Sequence, residues 1–233
     1  MEEKRSNKGV LVGMIVLIAA IVGIVALTQS DPAPIQESQT TNDATIEDLS
    51  DGQYQVVASD SVVEWEGAKT LVVDWSHMGE VEVESGSLLI EEGRLSGGEF
   101  TVDMNSMVVT GDGGAAMKDD AGLIGHLSSS DFFDIDTYPT AKFVITDVAE
   151  NTDGTYQVTG DMTIKESTNS ISFPATVIQS ADDTLVAIAD IVIDRTEYDV
   201  QFGSSAFFDD LGDNVINDEF DLRINLVATN QNS

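Results

Sequence analysis

The 233-residue chain contains no cysteine and only 2 histidines. Without cysteine, neither a disulfide nor a lipid-modified cysteine anchor is available, so a domain outside the cytoplasm must depend on its core for stability. His77 and His126 belong to no HExxH or His-x-His motif, and Gly203-Ser204-Ser205 lacks the second glycine of a nucleophile elbow. These absences give no basis for catalysis, for a metal or for a cofactor, and we expect a protein that is not an enzyme.

Basic residues are scarce, with 10 lysines and arginines against 42 acidic residues and a net charge of −32. Such a charge repels phosphate backbones, which excludes a nucleic acid partner. The acidic surface has two explanations. A solubilising surface adapted to a saline exterior is favoured over a site for a cation or a basic partner.

The N-terminal region has the pattern of a membrane anchor. Residues 1–8 include Lys4, Arg5 and Lys8, and the uncharged, mostly apolar run 9–30 follows. Its length is at the short end of the roughly 17–25 residues that span a bilayer. We predict a cytoplasmic tip (1–8) and a single-pass signal anchor (9–30), with a cleaved signal peptide as the alternative. The basic tip then leaves the rest outside the cytoplasm, in a periplasmic or extracellular space.

Periodicity changes after the anchor. Residues 31–52 are polar, acidic and without periodicity, which predicts a flexible linker. Residues 53–229 contain many runs in which apolar and polar residues alternate, as in the strand predicted around Phe220–Ala228, and residues 230–233 form a short tail. This alternation predicts antiparallel strands with one apolar face, and closure into a barrel would remove their exposed edges. Residues 111–127 have a more helical spacing, which predicts a loop and a short helix.

Several motifs occur in an order that identifies a family. The run from His126 to Phe143, HLSSSDFFDIDTYPTAKF, combines two aromatics behind an acid with a Tyr-Pro pair. Trp65-Glu66-Gly67 precedes it, and Thr159–Lys165 (TGDMTIK) and Asp194-Arg195-Thr196 follow it. Together these segments resemble the YceI-like polyisoprenoid-binding family. The resemblance implies an all-β fold, an antiparallel up-and-down, lipocalin-like barrel of about eight strands with an elongated apolar cavity. We expect a short helical insertion to interrupt the barrel and the transmembrane helix predicted from residues 9–30 to precede it.

Candidate cavity residues are of two kinds, large aromatics that form walls and small residues that leave room. The aromatic wall candidates are Trp65, Phe100, Phe143, Phe173, Phe202 and Phe220, and the small candidates are Ala187, Ala189, Ala175 and Gly160. Phe132 and Phe133 are expected to cap the cavity or to plug the barrel end, and only one of them can readily point inward if the segment is extended. Ordinary core packing is the alternative for all of them.

Two polar residues are candidates for contact with a ligand. His126 could meet a ligand headgroup, although a structural contact between the helical insertion and a strand is favoured. Arg195 could bind the polar end of a ligand, or it could pair with Asp131 or Asp194, because a buried guanidinium needs a partner.

The resemblance implies a binding protein that sequesters or carries a long apolar lipid, an isoprenoid such as a quinone or a polyprenyl chain. Burial of such a chain contributes roughly 0.8 kcal/mol per CH₂ group. The alternative is a structural or interaction module with a filled barrel, an acidic surface and no lipid. A cavity inside the barrel distinguishes the two.

Overall fold

The computed structural model describes residues 48–72, 75–112 and 120–230, with only the backbone described at residues 112 and 120. Within these ranges the chain forms nine strands and one α-helix. The strands are β1 Gly52–Val56, β2 Val62–Ala68, β3 Ser76–Glu91, β4 Arg94–Asp112, β5 Thr140–Glu150, β6 Tyr156–Ile164, β7 Ser167–Gln179, β8 Thr184–Asp194 and β9 Glu219–Asn230. The helix α1 is Asp120–Ser128, and short 3₁₀ turns occupy Ala58–Asp60, Arg195–Tyr198 and Gly212–Asn214.

The sheet closes into an eight-stranded barrel. Each strand from β2 to β9 pairs antiparallel with the next, and β9 returns to pair with β2. The short strand β1 pairs with the second half of β3 and with the end of β9. Together β1 and β2 therefore occupy one position in the ring, and the predicted all-β antiparallel barrel of about eight strands is confirmed.

The break between β1 and β2 is stabilised by a serine. The 3₁₀ turn Ala58–Asp60 interrupts the strand, and the Ser61 hydroxyl donates to the Val57 carbonyl at 2.9 Å. The same oxygen accepts from the Val227 amide at 2.9 Å. A side chain thus replaces the ladder hydrogen bond that the interruption removes, which keeps a half-buried backbone group paired.

Alternation along the strands places the core inside the barrel. On β3, Val81 and Val83 are buried, whereas Glu82 and Glu84 are exposed, as the sequence predicts. The register of β4 slips against β3 between the pairs Glu80–Val108 and Glu82–Asp103. This bulge puts both Met104 and Met107, three residues apart, in the interior.

One end of the barrel, which we call the covered end, is closed by two segments. At this end β4 ends and β5 begins, and α1 and residues 129–139 connect them. The segment 195–218 connects β8 to β9 at the same end. The helical insertion was predicted from residue 111, but β4 continues through Asp112 and α1 begins at Asp120. The expected short helix is present as α1, and it ends at Ser128, one residue beyond the predicted insertion.

The predicted tip (1–8) and anchor (9–30) lie outside the described residues, as does most of the predicted linker. Across 48–72, 75–112 and 120–230, no helix has both the length and the apolar character needed to cross a bilayer. The last residues of the predicted linker belong to the barrel. Leu49 is buried against the core, and its amide donates to the Gly93 carbonyl at 2.8 Å.

Candidate ligand-binding cavity

An apolar cavity of ≈ 170 Å³ lies inside the barrel at its covered end. Strand side chains such as Val63, Met104 and Leu222 form its walls, and Leu123 and Leu127 of α1 contribute to its cover. The surface that lines it is apolar almost throughout. A site of this kind favours hydrocarbon, because it removes apolar surface from water and offers polar groups little to bind.

Most of the aromatic candidates line this cavity. They are Trp65, Phe100, Phe132, Phe133, Phe143 and Phe220, and Arg195 lies on its wall as well. The expectation that only one of Phe132 and Phe133 faces inward was made for an extended segment, and this condition is not met. Both residues lie in a turn rather than in an extended strand, with the Phe133 amide bonded to the Leu127 carbonyl and Asp134 at φ 48°. A turn does not impose the alternation of a strand, so both rings can cap the cavity.

Four of the other candidates, Phe173, Ala175, Ala187 and Ala189, line a second, smaller cavity. This cavity of ≈ 40 Å³ is bounded by Phe173, Ala187 and Ala189, deeper along the barrel. Phe100 and Phe143 line both cavities, with ring centroids 5.7 Å apart. These two rings therefore form a partition between the two spaces, and the two alanines lie beyond it.

Gly160 does not leave open space, contrary to the expectation from its small size. A Cβ built at this position would lie 2.4 Å from Cζ of Phe143 and 2.5 Å from the Val144 carbonyl oxygen. The Phe143 ring fills the room that the missing side chain provides. The glycine thus positions the partition, and the ring packs further against Phe173 at 5.3 Å between centroids.

Trp65 depends on a glycine in the same way. A Cβ at Gly79, which pairs with Trp65 across β2 and β3, would lie 2.3 Å from Cζ2 of the indole and 2.0 Å from the Val108 carbonyl oxygen. The indole therefore lies over the Gly79 backbone and forms a flat wall of the cavity.

His126 lies outside the cavity wall and tethers the covered end. Its Nε2 is 3.3 Å from Oδ2 of Asp131. Its ring makes edge contacts with Phe132 at 4.9 Å and with Phe202 at 4.6 Å between centroids. These contacts join α1 to both covering segments, so the role of His126 here is structural, although its partners lie in connecting segments and not in the strand that was expected. Phe202 is 40% exposed and covers the end from outside, so its assignment to the wall is wrong.

Arg195 is held by five acceptors, none of which is Asp131 or Asp194. Nε donates to the Asn217 carbonyl at 2.8 Å, and Nη2 contacts the Asp218 carboxylate at 3.4 Å. The other acceptors are the carbonyls of Val200 at 2.7 Å, Phe202 at 2.9 Å and Ile216 at 3.2 Å. Burial lowers the pKa of the guanidinium, and the nearby Asp218 carboxylate opposes that shift.

The ion pair with Asp194, one of the alternatives that the sequence left open, does not form, and that carboxylate has another role. Asp194 accepts hydrogen bonds from the amide and the hydroxyl of Thr196, at 2.9 and 2.6 Å, and so caps the 3₁₀ turn Arg195–Tyr198. Since a guanidinium has five N–H donors, the acceptors of Arg195 occupy all of them. Arg195 thus fixes the segment 195–218 over the barrel and has no donor left for a ligand.

Of the cavity residues that were not predicted from the sequence, two carry rings. Trp75 and the buried His77 line the cavity, with ring centroids 4.5 Å apart in an edge contact. The signal was available, because the alternation of Val81 and Val83 extends backward to both positions.

Within the described ranges, no group of three or more His, Cys, Asp or Glu side chains could hold a common metal ion.

The comparisons with known proteins agree with this architecture. A UPF0312 protein from Pseudomonas putida is 32% identical over 124 residues, which covers 52% of this chain and 64% of that protein. The chain thus spans less than two thirds of the curated relatives that it matches first.

Two solved structures share the fold. BcnA from Burkholderia cenocepacia has a TM-score of 0.58 and 25% identity, and the match covers 75% of this chain and 99% of that one. A polyisoprenoid binding domain from Saccharophagus degradans has a TM-score of 0.53 and 15% identity, with coverage of 76% and 98%. The YceI-like domain family matches residues 54–228, which are nearly the whole barrel, and the chain belongs to this family.

Proposed function

We propose that this protein binds the hydrocarbon tail of a long lipid inside its barrel and sequesters or carries it. The observation that carries the proposal is the cavity of ≈ 170 Å³ inside the barrel, with an almost wholly apolar lining. A barrel filled by side chains, the alternative function, would leave no such space. Isoprenoids are the favoured class because the structural relative from Saccharophagus degradans is a polyisoprenoid binding domain.

An apolar cavity of about 150 Å³ holds a molecule the size of benzene. A long chain therefore needs more room than this cavity of ≈ 170 Å³ provides in the present structure. Two features of the wall can supply it. Met104, Met107 and Met162 line the cavity, and methionine side chains adapt to irregular ligands at small cost. Rotation of the Phe100 and Phe143 rings would join the second cavity to the first.

We further propose that the barrel works outside the cytoplasm, next to the membrane that supplies its lipid. The basic tip and the apolar run 9–30 support a signal anchor. In cell fractionation, the full-length chain should stay with membranes through a high-salt wash and be released by detergent. A shorter product released without detergent, beginning near Ser30, would show that the run is a cleaved signal peptide.

The binding proposal is tested by filling the cavity. Ala141 lines the large cavity and is half-buried, so the indole of Ala141→Trp should fill the space in which we propose the lipid tail binds. Full-length protein purified from its own membrane is extracted with organic solvent, and the lipid recovered per chain is measured by mass spectrometry. We expect several-fold less lipid with Ala141→Trp than with the wild type.

Two further variants make the result specific. Val192 is 58% exposed on the outer face of β8, so Val192→Trp should leave the lipid content unchanged. Ala187→Trp fills the second cavity and should lower the lipid content only if the chain passes the partition. Equal lipid content in the wild type and Ala141→Trp would contradict binding in this cavity, and a lipid-free wild type would favour the filled-barrel module.

A further inference from the structure

Among the described residues, one lysine has no described carboxylate beside it. Six lysines and arginines fall within the described residues, and five of them have a carboxylate oxygen within 4 Å. These pairs are Arg94 with Glu92 and Glu150, Lys142 with Glu99, Lys165 with Asp199, Arg195 with Asp218, and Arg223 with Asp190. Lys69 is the exception among the described residues. Its ammonium lies over the ring of Trp75, 4.7 Å from the centroid.

Lys69 is held at the rim of the cavity by residues that line it. Its amide donates to the Trp75 carbonyl at 3.3 Å, and its backbone pairs antiparallel with that of Ile216 outside the regular strands. Both partners line the cavity. The side chain is half-buried, and its ammonium is positioned by the indole face through a cation–π contact. The ammonium is therefore fixed where the apolar interior meets solvent, rather than free to move on the surface.

The other two cations at the cavity wall are already engaged. The five donors of Arg195 go to four backbone carbonyls and Asp218. Nζ of Lys142 is 2.6 Å from a carboxylate oxygen of Glu99. Among the described residues that border the cavity, Lys69 alone presents a cation without an anionic partner. A lipid whose tail fills the cavity must leave its polar head at the rim, because the lining is apolar almost throughout.

We propose that Lys69 binds the anionic head of the lipid, and that the ligand class is a long hydrocarbon with a single anionic head, such as a phosphate monoester or a carboxylate. This inference rests on the proposed function. An ammonium has three donors and no acceptor, so it discriminates in favour of an anionic oxygen. The contact is local. Its attraction acts against the long-range repulsion of the −32 chain.

The test is a competition between lipids with equal tails and different heads. The full-length chain in detergent micelles is incubated with equimolar geranylgeranyl phosphate and geranylgeraniol, and the two bound forms are counted by native mass spectrometry. We expect Lys69→Met to lower the ratio of bound phosphate to bound alcohol about tenfold or more. The free energy of one hydrogen bond to a charged group corresponds to at least about a tenfold change in affinity. Lys69→Arg, which keeps the charge, should stay within about threefold of the wild type.

Arg223→Met is the control for net charge. It removes one positive charge from an exposed pair on the outer face of β9 and should leave the ratio unchanged. A parallel competition between palmitate and hexadecanol separates the sources of the anionic head. A drop with Lys69→Met in both competitions indicates recognition of negative charge, and a drop with the phosphate alone identifies a phosphate monoester.

An unchanged ratio in Lys69→Met would overturn the inference while lipid binding itself stands. A wild-type chain that binds neither the phosphate nor the alcohol would instead overturn the proposed function.

Discussion

The replacement of Arg195 by lysine tests how the covered end is held. Arginine satisfies five acceptors from one planar group, and lysine has at most three donors on a single nitrogen. At least two acceptors in a mostly buried site therefore lose their donor. A hydrogen bond to a charged group contributes roughly 1.5–3 kcal/mol, so we expect Arg195→Lys to lower the free energy of unfolding by about 3 kcal/mol or more.

The effect is measured by thermal unfolding of the full-length chain, followed by circular dichroism. For a domain of this size a loss of 3 kcal/mol corresponds to a decrease in Tm of about 6–12 °C. Arg223→Lys is the matched control, because its partner Asp190 is exposed and such pairs contribute about 0–1 kcal/mol. A loss below about 1 kcal/mol for Arg195→Lys would refute the reasoning, since the five contacts would then not hold the segment 195–218 in place.

Three further predictions concern stability. Glu64 and Glu80 are directly opposite across β2 and β3, so their carboxylates repel each other. We expect Tm to rise from 0.1 M to 1 M NaCl, because the screening length falls from about 10 to about 3 Å. Glu80→Gln should reduce this rise in Tm. Gly160→Ala should cost about 1–3 kcal/mol in unfolding experiments, whereas Gly97→Ala, where a Cβ meets nothing within 4 Å, should cost little. Burial raises the pKa of Tyr198, so the folded chain keeps a proton that the unfolded chain releases near pH 10. The free energy of unfolding should therefore fall above that pH, and it should fall less steeply in Tyr198→Phe.

Each of these predictions has a contrary outcome. A Tm that is flat or falls with salt would mean that the acids are separated or individually paired. An equal cost for the two glycine substitutions would show that the aromatic partition is not tightly packed. An identical alkaline slope in the wild type and Tyr198→Phe would mean that the phenol titrates alike in the folded and unfolded chains.

The barrel could be predicted because its signal is local. Alternation along each strand fixes which side chains face inward, and Val81 and Ala189 are buried as that pattern requires. Alternation does not fix where along the barrel axis an inward residue lies. Ala187 and Ala189 therefore have the expected orientation, but they line the small cavity beyond the partition.

The parts of the site that the sequence did not predict depend on contacts between distant segments. The packing of Phe143 against Gly160 follows from the register of β5 and β6, which a single sequence does not specify. The acceptors of Arg195 are mostly backbone carbonyls of a segment without regular structure, so no residue type marked them. The sequence offered only charged side chains such as Asp131 and Asp194 as candidate partners of Arg195, and four of its five acceptors are backbone carbonyls instead.

The central claim, that the barrel holds a lipid, is tested most directly by native mass spectrometry of the full-length protein purified from its native cells with no lipid added. The cavity of ≈ 170 Å³ and its apolar lining predict a bound long-chain lipid at close to one per chain, retained after gentle removal of detergent. A spectrum that shows only the bare chain, from protein that unfolds cooperatively, would contradict the account.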